Sequence, residues 1–62
     1  MKREEFLRHL RKNRCYLKRE GASHSLWVNS VTGNLQAVPR HSELSDALCR
    51  KICRDLEIPF LY

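Results

Sequence analysis

The stretch from Gly21 to Trp27 (GASHSLW) contains the side chain of this protein that is best suited to acid–base chemistry. His24 follows a short Gly-Ala-Ser sequence and precedes strand-forming residues, so we expect it at a turn-to-strand junction where a sheet directs it outward. Histidine has the reference pKa that best suits proton transfer near neutral pH. On type and spacing alone, a structural histidine in a turn is the more common outcome.

RNA cleavage is a reaction that a histidine among cationic side chains could perform without a cofactor. A base removes the 2′-OH proton, the oxygen attacks the adjacent phosphate, and cations stabilise the developing charge. The first 19 residues contain eight basic and two acidic side chains, and the whole chain has a formal charge of +5. This charge suits a polyanionic partner, although a solvated basic helix face in any soluble protein would look similar.

Three cysteines and three histidines raise the question of a metal site. Cys49 and Cys53 lie one helical turn apart, but they fall in an apolar stripe where free cysteine behaves as a small hydrophobic residue. The CxxC spacing of zinc sites is absent, so we expect neither a metal nor a cofactor. His9 is expected at an edge or on the surface, whereas His41 either contacts a phosphate or packs within a loop.

The elements that must position these residues follow in a simple order. Residues 3–13 fit a helix, because apolar side chains recur one turn apart and basic ones face away from them. Short strands are predicted over residues 15–19, 26–28 and 35–38, with a hairpin loop at 29–34.

The last helix has the clearest pattern. Ser45 can cap its N-terminus, Asp46 suits the positive end of the helix dipole, and Pro59 is expected to stop the helix. Its apolar stripe consists of Leu48, Cys49, Ile52, Cys53 and Leu56. Helix, three antiparallel strands and helix together predict a single α+β domain over residues 1–62, with both helices on one face of the sheet.

The N-terminal sequence MKREEFLRHLRKN has charges throughout and lacks the apolar core of a secretory signal. No apolar run approaches the roughly 20 residues that a membrane span needs. With an odd number of cysteines and no export signal, we expect a cytoplasmic protein with reduced thiols and no membrane partner.

Several segments resemble the HicA family of toxins, small ribonucleases of bacterial toxin–antitoxin pairs, and they follow one another along the chain as they do in the family. GASHSLWVNSVTGNLQAVPRHSEL is similar to the family's central strands, in which a Gly-x-His step, a turn and a Val-Pro-Arg-His segment follow one another. LCRKICRDLEIP resembles the final helix, usually of the form LxxKIxxDLGI. KREEFLRHLRKNRCYLKREG resembles the first helix and strand, so the similarity covers nearly the whole chain.

The resemblance implies a fold like the double-stranded-RNA-binding domain. It also implies that His24 is the catalytic residue of a metal-independent messenger-RNA endonuclease, and that a HicB-type antitoxin covers this histidine. The chain departs from the family where Ala22 replaces the usual glycine, with Gly21 one place earlier. If that glycine provides a positive φ or a close backbone approach, Ala22 would be strained or would crowd the RNA, unless Gly21 takes over the turn.

The leading hypothesis is an RNA-cleaving toxin with His24 as general acid or base. The residues expected to bind the RNA are Lys2, Arg3, Arg11, Lys18, Arg19, Ser23, Arg40 and His41. Trp27 and Tyr16 could stack on unpaired bases, although we expect packing for both. The alternatives are a non-catalytic RNA-binding module and a protein-interaction domain whose basic surface meets an acidic partner.

Overall fold

This computed structural model describes residues 1–60, which form two helices and a three-stranded antiparallel sheet joined by turns and loops. The elements are α1 (Arg3–Lys12), β1 (Cys15–Glu20), β2 (His24–Asn29), β3 (Leu35–Pro39) and α2 (Asp46–Asp55). The strands lie in the order β1-β2-β3. This arrangement confirms the predicted α+β fold and is consistent with a double-stranded-RNA-binding-domain-like architecture.

The hydrophobic core lies between the sheet and both helices, which therefore share one face of the sheet. Its members are Phe6, Leu7, Leu10, Cys15, Trp27, Val38, Leu44, Cys49, Ile52, Cys53 and Leu56. The apolar stripes predicted for the two helices are buried here, and only Leu48 of the α2 stripe is half-buried. Alternation along β2 sends Ser25 and Trp27 towards the helices and leaves His24 and Leu26 on the opposite, open face.

The strands extend further than predicted, and one of them contains a bulge. β1 pairs with β2 in one register up to Leu17, and the register shifts before Arg19, so Lys18 is the extra residue. A bulge moves every following side chain to the other face of the strand. As a result Glu20 lies opposite Ser25, and Arg19 lies opposite Leu26 on the open face.

Both ends of α2 are defined by specific contacts. The hydroxyl of Ser45 accepts a hydrogen bond of 3.1 Å from the backbone N–H of Leu48, which confirms the predicted cap. At the other end the prediction that Pro59 stops the helix is wrong. Glu57 adopts a left-handed conformation (φ 59°), its N–H bonds to the Arg54 carbonyl, and the next N–H bonds to Cys53, which closes a Schellman motif before Pro59 is reached.

His9 is buried, contrary to the expectation of an edge or surface position. Its Nε2 lies 2.7 Å from the carbonyl oxygen of Pro59. Because a carbonyl oxygen can only accept, Nε2 donates this hydrogen bond. His9 therefore attaches the segment after α2 to α1. Among residues 1–60, neither helix combines the length and the hydrophobicity that crossing a membrane would require.

Candidate functional site

His24 is the first residue of β2 and is exposed on the open face of the sheet. Its backbone pairs with Pro39 of β3, so the sheet fixes the position of the Cα atom from which the side chain extends. Within residues 1–60 its imidazole forms no hydrogen bond or ion pair with another side chain. Both ring nitrogens are thus available to a molecule that binds from solvent.

A shallow pocket of about 280 Å³ surrounds this histidine. Its lining is Arg19, Gly21, Ala22, Ser23, His24, Leu26 and Ala37. Arg19 reaches the pocket because the bulge at Lys18 turns it to the open face. The structure therefore brings together His24, Arg19 and Ser23, three of the residues predicted to act on or bind RNA.

The turn before His24 is closed by Gly21. Its N–H donates a hydrogen bond of 2.8 Å to the His24 carbonyl oxygen, and a Cβ built on Gly21 would lie 2.8 Å from the same oxygen. Ala22 does not have a positive φ and is exposed. Gly21 thus takes over the close backbone approach, and Ala22 is not strained in this position.

A carboxylate and a guanidinium lie beside this turn. Glu20 Oε1 accepts a hydrogen bond of 2.6 Å from the Oγ of Ser25, which is buried, and lies 3.7 Å from Arg40 Nη1. The same Arg40 nitrogen donates to the Gly21 carbonyl oxygen at 3.1 Å. Arg40 is therefore bonded to the backbone at Gly21, the first residue after β1, close to His24.

Arg3, the first residue of α1, contacts the same region from the helical side. Its Nη2 donates to Ser25 Oγ at 2.8 Å, and its Nε donates to the Pro39 carbonyl oxygen at 2.8 Å. Lys2, Arg3 and Arg40 also line a second pocket of about 440 Å³ together with Glu4, Ser42 and Glu43. Three more of the predicted RNA-binding residues are thus neighbours of each other.

The remaining predicted residues lie elsewhere. Arg11, in the second half of α1, places its guanidinium 5.4 Å from the ring centre of Trp27. Lys18 is exposed at the bulge, and His41 is exposed in the connection to α2. Trp27 is only 2% exposed, which confirms packing and excludes base stacking, whereas Tyr16 is 54% exposed and shares the open face with Val28.

The three cysteines are free and buried in the core. Burial raises the pKa of the Cys53 thiol to about 11, with smaller contributions from Cys49 and Cys15. Burial also raises the pKa of the other two thiols. Among residues 1–60, no group of three His, Cys, Asp or Glu side chains is arranged to hold a metal ion.

Glu20 and Ser25 are residues of this region that the sequence does not predict. Neither belongs to a recognisable motif, and uninterrupted pairing of β1 and β2 would have placed Arg19 opposite Ser25 instead. The only sequence signal was the position of Ser25 next to His24. The bulge that brings Glu20 to Ser25 has no signature in the sequence.

Comparison with known proteins gives one informative result. The family model described as HicA toxin of bacterial toxin-antitoxin matches residues 3–58, which is nearly all of the chain. Searches of curated proteins and of solved structures gave no match. The matched range includes both helices, all three strands and the pocket around His24.

Proposed function

The chain belongs to the HicA family, the toxins of bacterial toxin–antitoxin systems, and we propose that it is a metal-independent endoribonuclease that cleaves messenger RNA with His24 as general acid or base. The observation that supports this proposal is the exposed imidazole of His24 in a pocket shared with Arg19. A side chain that transfers protons must be within hydrogen-bond reach of the substrate, and this one is open to solvent.

The proposed reaction uses the 2′-hydroxyl of the RNA as nucleophile. His24 accepts the 2′-OH proton while O2′ forms a bond to the adjacent phosphorus. The bond from phosphorus to O5′ breaks, and a water molecule or a lysine supplies the proton that O5′ takes up. Arg19 in the pocket stabilises the negative charge that develops on the phosphate oxygens.

We propose that the RNA backbone follows the cations near this pocket. Arg19 and Ser23 would contact the phosphate that is cleaved, and Lys2, Arg3 and Arg40 would contact the strand beyond it. Arg3 and Arg40 use only some of their five N–H donors inside the protein, so further donors remain for phosphate. Lys18, His41 and Arg11 would be more distant contacts.

Membership of the family implies an antitoxin partner. We propose that the partner is a HicB-type protein and that it covers His24, because a protein seated on the open face of the sheet would exclude RNA from the pocket. We also propose that the toxin acts in the bacterial cytoplasm, where its messenger-RNA substrate is located.

Induced expression in a bacterial host tests the catalytic role of His24. The wild type, His24→Ala and the control Val31→Ala, which changes an exposed residue at the hairpin tip, are compared at equal protein levels. We expect growth arrest and cut transcripts in the wild type and the control, and neither in His24→Ala. Arrest by His24→Ala with intact transcripts would instead support a non-catalytic RNA-binding module.

A second assay tests whether the reaction needs a metal. Purified protein is incubated with a synthetic messenger RNA in excess EDTA. We expect cleavage to continue and to leave a 2′,3′-cyclic phosphate and a 5′-hydroxyl end. Complete inhibition by EDTA that magnesium reverses would contradict the proposed mechanism.

A further inference from the structure

Side-chain contacts hold the chain on three sides of His24, two of them made by arginines from distant parts of the sequence. Arg40 donates a hydrogen bond to the Gly21 carbonyl in the turn before His24. Arg3 donates one to the carbonyl of Pro39, which is the cross-strand partner of His24. On the third side Ser25, the next residue in β2, accepts from Arg3 and donates to Glu20.

Glu20 connects these contacts. Its carboxylate is the acceptor for the buried Ser25 hydroxyl at 2.6 Å and the counter-ion of Arg40 at 3.7 Å. Glu20 and Ser25 are cross-strand partners, so they form the base of the turn that leads into His24. Glu20 therefore takes part in closing the base of the turn, through Ser25, and also pairs with Arg40, which holds the Gly21 carbonyl.

The charge of Glu20 is unexpected in this location. A carboxylate beside a pocket for phosphate repels the substrate, and a half-exposed ion pair adds little to folding stability. Its two contacts instead fix the geometry of the neighbouring backbone. A small misplacement of a catalytic group can lower the reaction rate by one to two orders of magnitude. Holding the backbone next to His24 in place therefore supports the rate of the proposed reaction.

We propose that Glu20 is a positioning residue for His24, which acts by holding Ser25 and Arg40 at the base of the turn formed by residues 21–23. This inference rests on the proposed catalytic role of His24 and adds an acidic residue to those that the reaction requires. Glu20 does not touch the substrate. Arg3 supports the same geometry from α1 through its bonds to Ser25 and Pro39.

The test compares Glu20→Ala, Glu20→Gln and the control Glu5→Gln. Glutamine keeps an acceptor for Ser25 but loses the charge that faces Arg40. Glu5 is exposed on α1 and makes no ion pair within residues 1–60, so its substitution alters the net charge in the same way without touching the turn. Steady-state cleavage of a short RNA and thermal unfolding are measured for each variant.

We expect kcat to fall roughly tenfold to a hundredfold in Glu20→Ala and less in Glu20→Gln. KM should stay close to that of the control, and the melting temperature of Glu20→Ala should fall by a few degrees because the buried Ser25 hydroxyl loses its acceptor, so kcat is measured well below the melting temperature of every variant. If both Glu20 variants match Glu5→Gln in kcat, the positioning role is overturned. If kcat falls only in proportion to a loss of folded protein, Glu20 has a general structural role and the proposal is also overturned.

Amide hydrogen exchange at Gly21 provides a readout that does not depend on catalysis. Its N–H is bonded to the His24 carbonyl, and the proposal requires that Glu20→Ala lowers its protection while the core amides keep theirs. Unchanged protection would overturn the proposal. A wild type that cleaves no RNA would contradict the proposed function, and the exchange result would still decide whether Glu20 holds the turn.

Discussion

Gly21 and His24 approach each other so closely that the hydrogen bond between them leaves no room for a side chain. The N–H of Gly21 lies 2.8 Å from the His24 carbonyl oxygen, and an added Cβ would lie at the same distance. Real Cβ atoms do not approach a backbone oxygen so closely, so the turn would have to move. The turn therefore needs glycine at position 21, whereas the exposed Ala22 is under no such restriction.

Substitutions at the neighbouring residues Gly21 and Ala22 should differ strongly in their effect on activity. We expect Gly21→Ala to lower the cleavage rate about tenfold or more, because the turn that positions His24 must open. Ala22→Gly should stay within about twofold of the wild type, since Ala22 is exposed and has no positive φ. Single-turnover cleavage measures both, and a large gain in activity from Ala22→Gly would contradict this assignment.

Asn29 should be one of the largest polar contributors to stability. Its buried Nδ2 donates to the Leu56 carbonyl at 2.7 Å, and its Oδ1 accepts from the Val31 N–H at 2.8 Å. Asn29→Ala leaves the carbonyl of the buried Leu56 and the Val31 N–H without their partners, which costs about 1–3 kcal/mol of unfolding free energy. Urea denaturation is the measurement, with the partly exposed Asn34→Ala as control. Equal losses in the two variants would contradict this prediction.

Glu57 occupies the position at the end of α2 where the family pattern usually has glycine. Its φ of 59° is unfavourable for any residue with a Cβ, whereas glycine adopts it freely. We expect Glu57→Gly to be more stable than Glu57→Ala by about 1 kcal/mol. Both variants lose the hydrogen bond from Asn34 Nδ2 to Glu57 Oε2, so their difference in urea midpoint isolates the backbone effect.

The buried thiols should be unreactive in the folded protein and should destabilise it in alkali. Folding raises the pKa of Cys53 from 9.0 to about 11, so the folded state binds this proton more tightly than the unfolded state does. The protonated Cys53 thiol makes its full contribution to the free energy of unfolding below pH 9. This contribution is lost as the pH rises towards 11, by about 1.4 kcal/mol for each unit of pKa difference.

Two measurements check this behaviour. The reaction of the native protein with a thiol reagent at pH 8 should be at least a hundredfold slower than that of the urea-unfolded chain. Urea denaturation between pH 8 and 11 should show a falling free energy of unfolding. Fast labelling of Cys53 in the native state, or a stability that does not change over this range, would contradict the prediction.

Hydrophobic periodicity, together with turn and capping signals, is sufficient to predict the helices, the strands and their order. The apolar residues of both helices, the Ser45 cap and the order of the elements followed from spacing and from local hydrogen-bonding chemistry. The end of α2 was mispredicted because Pro59 is a familiar stop signal, whereas a left-handed glutamate is not. His9 was misplaced because its burial depends on a carbonyl 50 residues away, which no local pattern contains.

The site could be predicted only in part. His24 and the turn beside it were identified from residue type and from the family resemblance. Glu20 and Ser25 were missed because the bulge at Lys18 decides which face each side chain of β1 occupies. The contacts of Arg3 with Ser25 and Pro39 join residues 22 and 36 positions apart, and pairings of that range depend on the complete fold.

The long-range contacts of Arg3 determine which mutations should abolish toxicity. The surroundings of His24 are assembled from the first residue of α1, the β1–β2 turn and the residue after β3, so a partly folded chain has no ordered site. In a domain of this size a loss of one or two kcal/mol can change the amount of folded protein several-fold. Survivors selected for escape from this toxin should therefore include substitutions throughout the core, such as at Phe6 or Ile52, and not only at the histidine.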